Sequence, residues 1–292
     1  MTLHAQNPPL AIVLMCCATA FIAGTMLIAK ALGTDALGDP LHPLQISHGR
    51  FFFAFLAIST AAVIIRPGLR RPDWPLHIGR TLFGWGGVTC MFASVAFIPL
   101  SDATAISFLN PVFGMMLAIP LLGERVGRWR WIAAAMALLG ALVLLRPGMG
   151  TFQLAGLLAL TAAALMGMEL IFIKKLANKE PALQILLVNN TLGLMVATLA
   201  VLPVWEPPTT AQWVSLACLG LLMASAQSCF VSAMARADAS FVTPFGYLTL
   251  VFAALYDAVI FDVVPDVVSV IGAVIILAGA SLLAWREQRQ AT

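Results

Sequence analysis

Glu169 stands in the run Leu-Met-Gly-Met-Glu-Leu-Ile-Phe-Ile, residues 165 to 173. A lone carboxylate among apolar side chains is costly unless it faces a partner, water or a ligand. Such a group can exchange a proton or hold an amino or guanidino group. Arg50 offers the complementary chemistry, a planar fork that grips a carboxylate with two parallel hydrogen bonds. His48, two residues away, titrates near neutral pH when solvated. Asn110, Asn189, Gln227, Ser228 and Tyr247 supply neutral donors and acceptors within apolar surroundings. Trp85, in Gly84-Trp85-Gly86-Gly87, brings a large ring to a stretch of small residues and offers apolar and cation–π contact. The five cysteines, Cys16, Cys17, Cys90, Cys218 and Cys229, lie in apolar stretches without ligand spacing, so neither a metal site nor a cofactor is expected. No Gly-rich phosphate loop is present, and no catalytic set of acid, base and nucleophile converges on Glu169.

The elements that position these groups follow from composition. The chain is 61% hydrophobic and 10% charged, against about 45–50% and about 25% for a soluble domain, so its solvent is a lipid bilayer. With a net charge of +3 and no basic block interleaved with aromatics, nucleic acid is not an expected partner. Apolar runs cover approximately 9–32, 44–65, 75–97, 102–122, 129–146, 153–175, 182–203, 211–234, 240–261 and 266–285. Lipid leaves backbone groups no partner but their own helix, and the runs do not alternate as barrel strands would. The first run has no preceding Lys or Arg and is long enough to span, which argues against a cleaved signal peptide. Placing the N-terminus in the cytoplasm puts thirteen Lys and Arg, Arg80 among them, in inner segments and two, Lys30 and Arg146, in outer ones. Most Trp residues fall at run ends, where interfacial anchors sit; Trp85 lies near mid-membrane.

A shift of 139 positions maps Leu44-Gln45-Ile46 onto Leu183-Gln184-Ile185 and Leu138-Leu139-Gly140-Ala141 onto Leu277-Ala278-Gly279-Ala280. The chain therefore reads as a tandem duplication. The expected fold class is an all-α membrane protein of ten transmembrane helices, a five-helix repeat over 1–150 followed by a second over 151–292. Five spans per copy is an odd number, so the second copy enters the membrane inverted. Inverted repeats place a binding site at their interface and support alternating access.

Depth separates the candidates. Glu169 lies roughly 24 Å into its run, at about 1.5 Å per residue, close to the depth of Gln227, Ser228 and Tyr247. These form either one polar layer facing a cavity or a set of inter-helix hydrogen bonds, worth about 0.6–2 kcal/mol each. Glu169 itself either faces that cavity or snorkels toward Lys174 or Lys175. Thr243-Pro244 is expected to kink the ninth span and free a carbonyl. Under the 139 shift Arg50 corresponds to Asn189, which points to a shared structural or gating role, with carboxylate binding as the alternative. Trp85 reads as a wall of a substrate pocket or as packing.

Four stretches carry a resemblance: residues 92–113, FASVAFIPLSDATAISFLNPVF; the LLGERV turn at 121–126; the GALVLLRPG end at 140–148; and Arg50 in the second span. Over essentially its whole length the chain resembles the drug/metabolite transporter superfamily, EamA-type branch. The resemblance implies cytoplasmic termini, a bacterial-type inner membrane, and a cavity lined mainly by spans 1, 3, 4, 6, 8 and 9, with spans 5 and 10 peripheral. It also implies a secondary transporter, monomer or homodimer, for a small-molecule substrate, with protons as a candidate coupling ion. Export of amino acids or related compounds is the leading expectation; transport of nucleotide-like, flavin or drug-like metabolites is the alternative. A channel or a membrane-embedded enzyme is the rival class.

Overall fold

The computed structural model describes residues 7–66, 68–122, 128–145, 154–177, 179–234, 236, 245–246 and 248–291. Within them the regular structure is all helical: α1 Pro8–Leu32, α2 Pro43–Ile65, α3 Trp74–Val95, α4 Leu100–Ser107, α5 Asn110–Leu122, α6 Arg128–Leu145, α7 Leu154–Ala177, α8 Ala182–Val201, α9 Thr210–Met234, α10 Leu248–Ile260 and α11 Val267–Ala291. Among the described residues, six stretches are long and apolar enough to cross a membrane: Pro9–Leu32, Pro43–Ile65, Leu100–Leu117, Ala155–Ile173, Ala182–Val204 and Thr210–Phe230. Shorter apolar helices lie in α6, α10 and α11. α3 has comparable length but carries His77, Arg80 and Thr81, all buried.

Local chemistry sets the ends. Pro8 and Pro9 open α1, where a missing N–H costs nothing, and the Asn7 side chain accepts from the Leu10 N–H at 3.1 Å. Pro43 does the same for α2, which ends on Arg66 in the left-handed region (φ 49°). The expected fourth span is two helices. Pro111 cannot donate and crowds the preceding turn; there Phe108 and Leu109 donate to Ala105 and Ile106, three residues back, and the chain restarts as α5.

Packing partners come in pairs related by the 139 shift. α3 packs on α7 as α9 packs on α1, and α5 packs on α7 as α10 packs on α1. α2 meets α8 and α6 meets α11, each with its own counterpart. The repeated Leu-Gln-Ile triplets explain themselves here. Gln45 donates to the Glu206 carbonyl at 2.6 Å, clamping the loop after α8. Gln184 accepts from the Arg70 N–H at 2.6 Å and donates to its carbonyl at 3.0 Å, clamping the loop before α3. Each copy thus fastens a loop of the other.

Small residues permit the closest approaches. An added Cβ on Gly140 would lie 2.7 Å from the Ile276 nitrogen and 2.8 Å from the Gly272 carbonyl, so α6 and α11 touch backbone to backbone. Gly84 and Gly87 let α3 settle on Glu169 and Met166 of α7. The outer surface is apolar instead: Ile64 is 76% exposed, Leu199 70% and Val259 70%. Surface of that kind suits lipid.

Candidate functional site

A cavity of about 410 Å³ opens between α1, α2, α3, α7, α8 and α9. Its walls are largely apolar, with Ile22, Phe51, Val88, Met166, Ile173, Met223 and Phe230 among them. Five polar side chains break that lining: Arg50, Arg80, Glu169, Asn189 and Gln227. Spans 2 and 7, which the resemblance had left out, thus supply Arg50 and Asn189. Among the described residues the fourth span does not reach the cavity: the short α4 is buried against α10 and α7, and α5 packs on α7.

The charged groups are arranged unequally. Arg80, 5% exposed, approaches Glu169 Oε1 with its Nε at 3.6 Å, and its Nη1 donates to the Ile185 carbonyl at 2.9 Å. Gly84 makes room for that carboxylate: a Cβ there would stand 2.7 Å from Glu169 Cδ. Glu169 therefore pairs with Arg80; Lys175, one of the two partners expected from sequence, is exposed. Arg50, 4% exposed, rests its guanidinium over the Phe51 ring at 4.3 Å, while its Nε and Nη1 are buried without a hydrogen-bond partner. Both arginines interact electrostatically with Glu169. Asn189 accepts from the Thr81 hydroxyl at 3.2 Å, and the Gln227 Oε1 is buried and unpartnered.

Other candidates fall elsewhere. Ser228 is exposed and spends its hydroxyl on the Ala224 carbonyl at 2.9 Å; one residue beyond Gln227, it is turned about a quarter-circle away on the helix. Asn110 does not line the cavity. Its carbonyl would lie 2.8 Å from a Cβ on Gly167, at the crossing of α5 and α7. Trp85 also lies outside the lining, half-buried, with an unpartnered indole N–H. His48 belongs to an aromatic cluster, stacked on Phe52 at 6.1 Å and edge-on to Trp205 at 5.7 Å. Tyr247 and Thr243-Pro244 lie outside the described residues.

Two polar clusters flank the cavity. Near the start of α3, His77 Nε2 meets Glu180 Oε2 at 2.8 Å, and Glu180 also accepts from the Asp73 N–H at 2.8 Å and from Gln184 at 2.7 Å. Burial pushes the Glu180 carboxyl up, but these hydrogen bonds outweigh it and hold the group below the usual carboxylate range. Lys179, bonded to Asp73 at 2.6 Å, lowers that carboxyl too. At the far end of α1, Lys30 pairs with the fully buried Asp257 of α10 at 2.5 Å. The second oxygen of Asp257 accepts from the Leu100 N–H at 2.5 Å and, more loosely, from the Ser101 N–H at 3.4 Å. It caps α4 at the helix end where negative charge is favoured.

Paired repeats of membrane-length helices around a cavity with few charges define a polytopic membrane protein of the solute-carrier kind. The chain belongs to the EamA-like transporter family, which it matches over residues 9–146 and again over 153–285. It is 28% identical over 254 residues to the S-adenosylmethionine uptake transporter of Rickettsia prowazekii, covering 87% of this chain and 86% of that protein. It is 29% identical over 232 residues to the riboflavin transporter of Vibrio cholerae (77% and 76%). It is 26% identical over 215 residues to a pseudopaline exporter of Pseudomonas aeruginosa (72% and 74%). These relatives do not support assignment to an amino-acid exporter subgroup. A solved crystal structure 21% identical in sequence superposes with a TM-score of 0.62 over 97% of this chain and 100% of that one, a likeness of fold.

Proposed function

We propose that the chain is a secondary carrier that moves one class of small metabolite through the cavity between its two repeats, by alternating access. The observation that carries this reading is a largely apolar cavity, at the contact of paired repeats, with a few fixed polar groups. That composition suits a molecule with an apolar body and a charged or polar end. The relatives favour metabolites of the S-adenosylmethionine or flavin kind over simple amino acids. The Lys30–Asp257 pair closes the end away from the cavity by joining α1 and α4 of the first repeat to α10 of the second. In this reading the repeats are inverted, both termini are cytoplasmic, the membrane is a bacterial-type inner membrane, and the cavity faces inward. Glu169 is the group at which a proton or a substrate amine competes with Arg80.

The test is flux into liposomes reconstituted with the purified chain, using labelled S-adenosylmethionine, riboflavin and a panel of amino acids. Saturable uptake of at least one compound is expected. Unsaturated conductance would make the chain a channel, chemical change of the compound an enzyme, and absence of flux across the panel would overturn the proposal.

A further inference from the structure

We propose that Arg50 is a carboxylate anchor, so that the cavity selects molecules carrying one anionic carboxylate over their neutral counterparts. The inference rests on the carrier reading for its purpose, but its evidence is local. An arginine buried to this degree is normally paired, because an uncompensated charge out of water is strongly destabilising. Arg50 has two guanidinium nitrogens, Nε and Nη1, buried without an acceptor, and it belongs to the cavity wall. Glu169 lies nearer Arg80, at 3.6 Å from its Nε, and although it attracts both arginines, one carboxylate cannot balance two guanidiniums. Two guanidiniums against one carboxylate leave one positive charge in a mostly apolar space.

The geometry narrows the ligand. Phe51 covers one face of the guanidinium at 4.3 Å, which leaves the donor edge as the side for recognition. Nη2 shares one edge with Nε and the other with Nη1, so either edge offers a planar carboxylate two parallel N–H groups, one of them unpaired. A phosphate dianion would leave one negative charge unbalanced, whereas a monocarboxylate closes the charge. The apolar lining at Ile22, Val88 and Met223 takes the rest of such a molecule. Asn189, the counterpart of Arg50 in the second repeat, carries no charge and already accepts from Thr81. The duplicated position has therefore diverged into one anchor and one structural group.

The experiment uses the full-length protein purified in detergent, with 3-phenylpropionate as probe, 3-phenylpropionamide as its neutral isostere and phenyl phosphate as the dianion, at constant ionic strength. Thermal unfolding is followed for wild type, Arg50→Gln and Arg50→Lys. The carboxylate is expected to raise the unfolding midpoint of wild type, with the amide and the phosphate without comparable effect. Arg50→Gln is expected to weaken the carboxylate at least about tenfold, as loss of a charged hydrogen bond does, and Arg50→Lys to retain part of the effect. With no ligand, Arg50→Gln is expected to be as stable as wild type or more so, because it removes an unpaired charge; a structural arginine would give a lower midpoint. The proposal is overturned if wild type shows no carboxylate-dependent shift, if the amide matches it, or if Arg50→Gln keeps it. Carboxylate binding without flux in liposomes would sink the carrier reading and leave this anchor standing. Saturable riboflavin flux with no carboxylate effect would do the reverse.

Discussion

Arg80 and Glu169 meet from helices 89 positions apart in the chain, and only one of them was conspicuous beforehand. Glu169 was legible because it interrupts an apolar run. Arg80 was counted with the cytoplasmic charges, since it stands six residues after Trp74 and a long side chain there can reach an interface. What turns it inward is the packing of α3 on α7, which no single-helix pattern encodes. Lys30 and Asp257 were lost in the same way, one counted as an outer charge and the other left inside an apolar run. Removing one member of a buried pair strands the other. Arg80→Gln is expected to lower stability by about 3 kcal/mol, and Arg80→Gln with Glu169→Gln to recover most of it, as measured by denaturation in detergent. Equal loss in the single and double variants would mean that Arg80 acts through the Ile185 carbonyl instead.

At the scale of elements, most helices begin and end where the apolar runs and prolines indicated: α2 fills 43–65 and α8 starts at 182. The division of the fourth span was missed, although Pro111 carries its signal: the partner carbonyl in a continuous helix would be that of Ser107. The faces were not readable. Gln227 and Ser228 have similar chemistry, and a rotation of one residue sends one to the cavity and the other to the exposed surface. The small residues around Trp85 were noticed for the ring they surround, yet their effect lies in Gly84, which seats the Glu169 carboxylate. Gly84→Val is expected to displace that carboxylate and to reduce saturable flux by at least about tenfold, with helix content by circular dichroism unchanged. Retained flux at wild-type level would separate the Glu169 position from transport. A milder test is available at α8. Glu180→Gln is expected to remove the stabilisation that the depressed carboxyl confers above the usual carboxylate range, and that wild type loses as pH falls through its lowered value. Thermal midpoints from pH 7 down to about 3 should fall more steeply in wild type than in the variant.

For the whole molecule, the duplication was legible because the Leu-Gln-Ile triplet does the same job twice, in loops exchanged between the copies. The cavity wall was less so. The second and seventh spans entered it through Arg50 and Asn189, positions that the 139 shift relates but whose direction depends on how the copies dock. Orientation in the bilayer is open to direct measurement. In a background without the five native cysteines, Gly68→Cys and Ala291→Cys are expected to react with an impermeant thiol reagent only from the cytoplasmic side, and Ala36→Cys only from outside. Labelling of all three from one side would dismantle the inverted arrangement.

The backbone contact between α6 and α11 has a consequence for how such a protein changes its cargo. Beyond each other these helices meet chiefly α4, and among the described residues neither contributes to the cavity wall. Of the contacts that join the copies, this one is thus physically apart from the cavity, whereas α2 on α8 and α3 on α7 meet at its wall. In the carrier reading, a substitution at Arg50 or Gln227 retunes recognition while Gly140 still rests on Gly272 and Ile276. In that reading cargo is free to diverge between descendants of one ancestor while this contact, built from glycine and backbone, holds α6 on α11 whatever passes through the cavity.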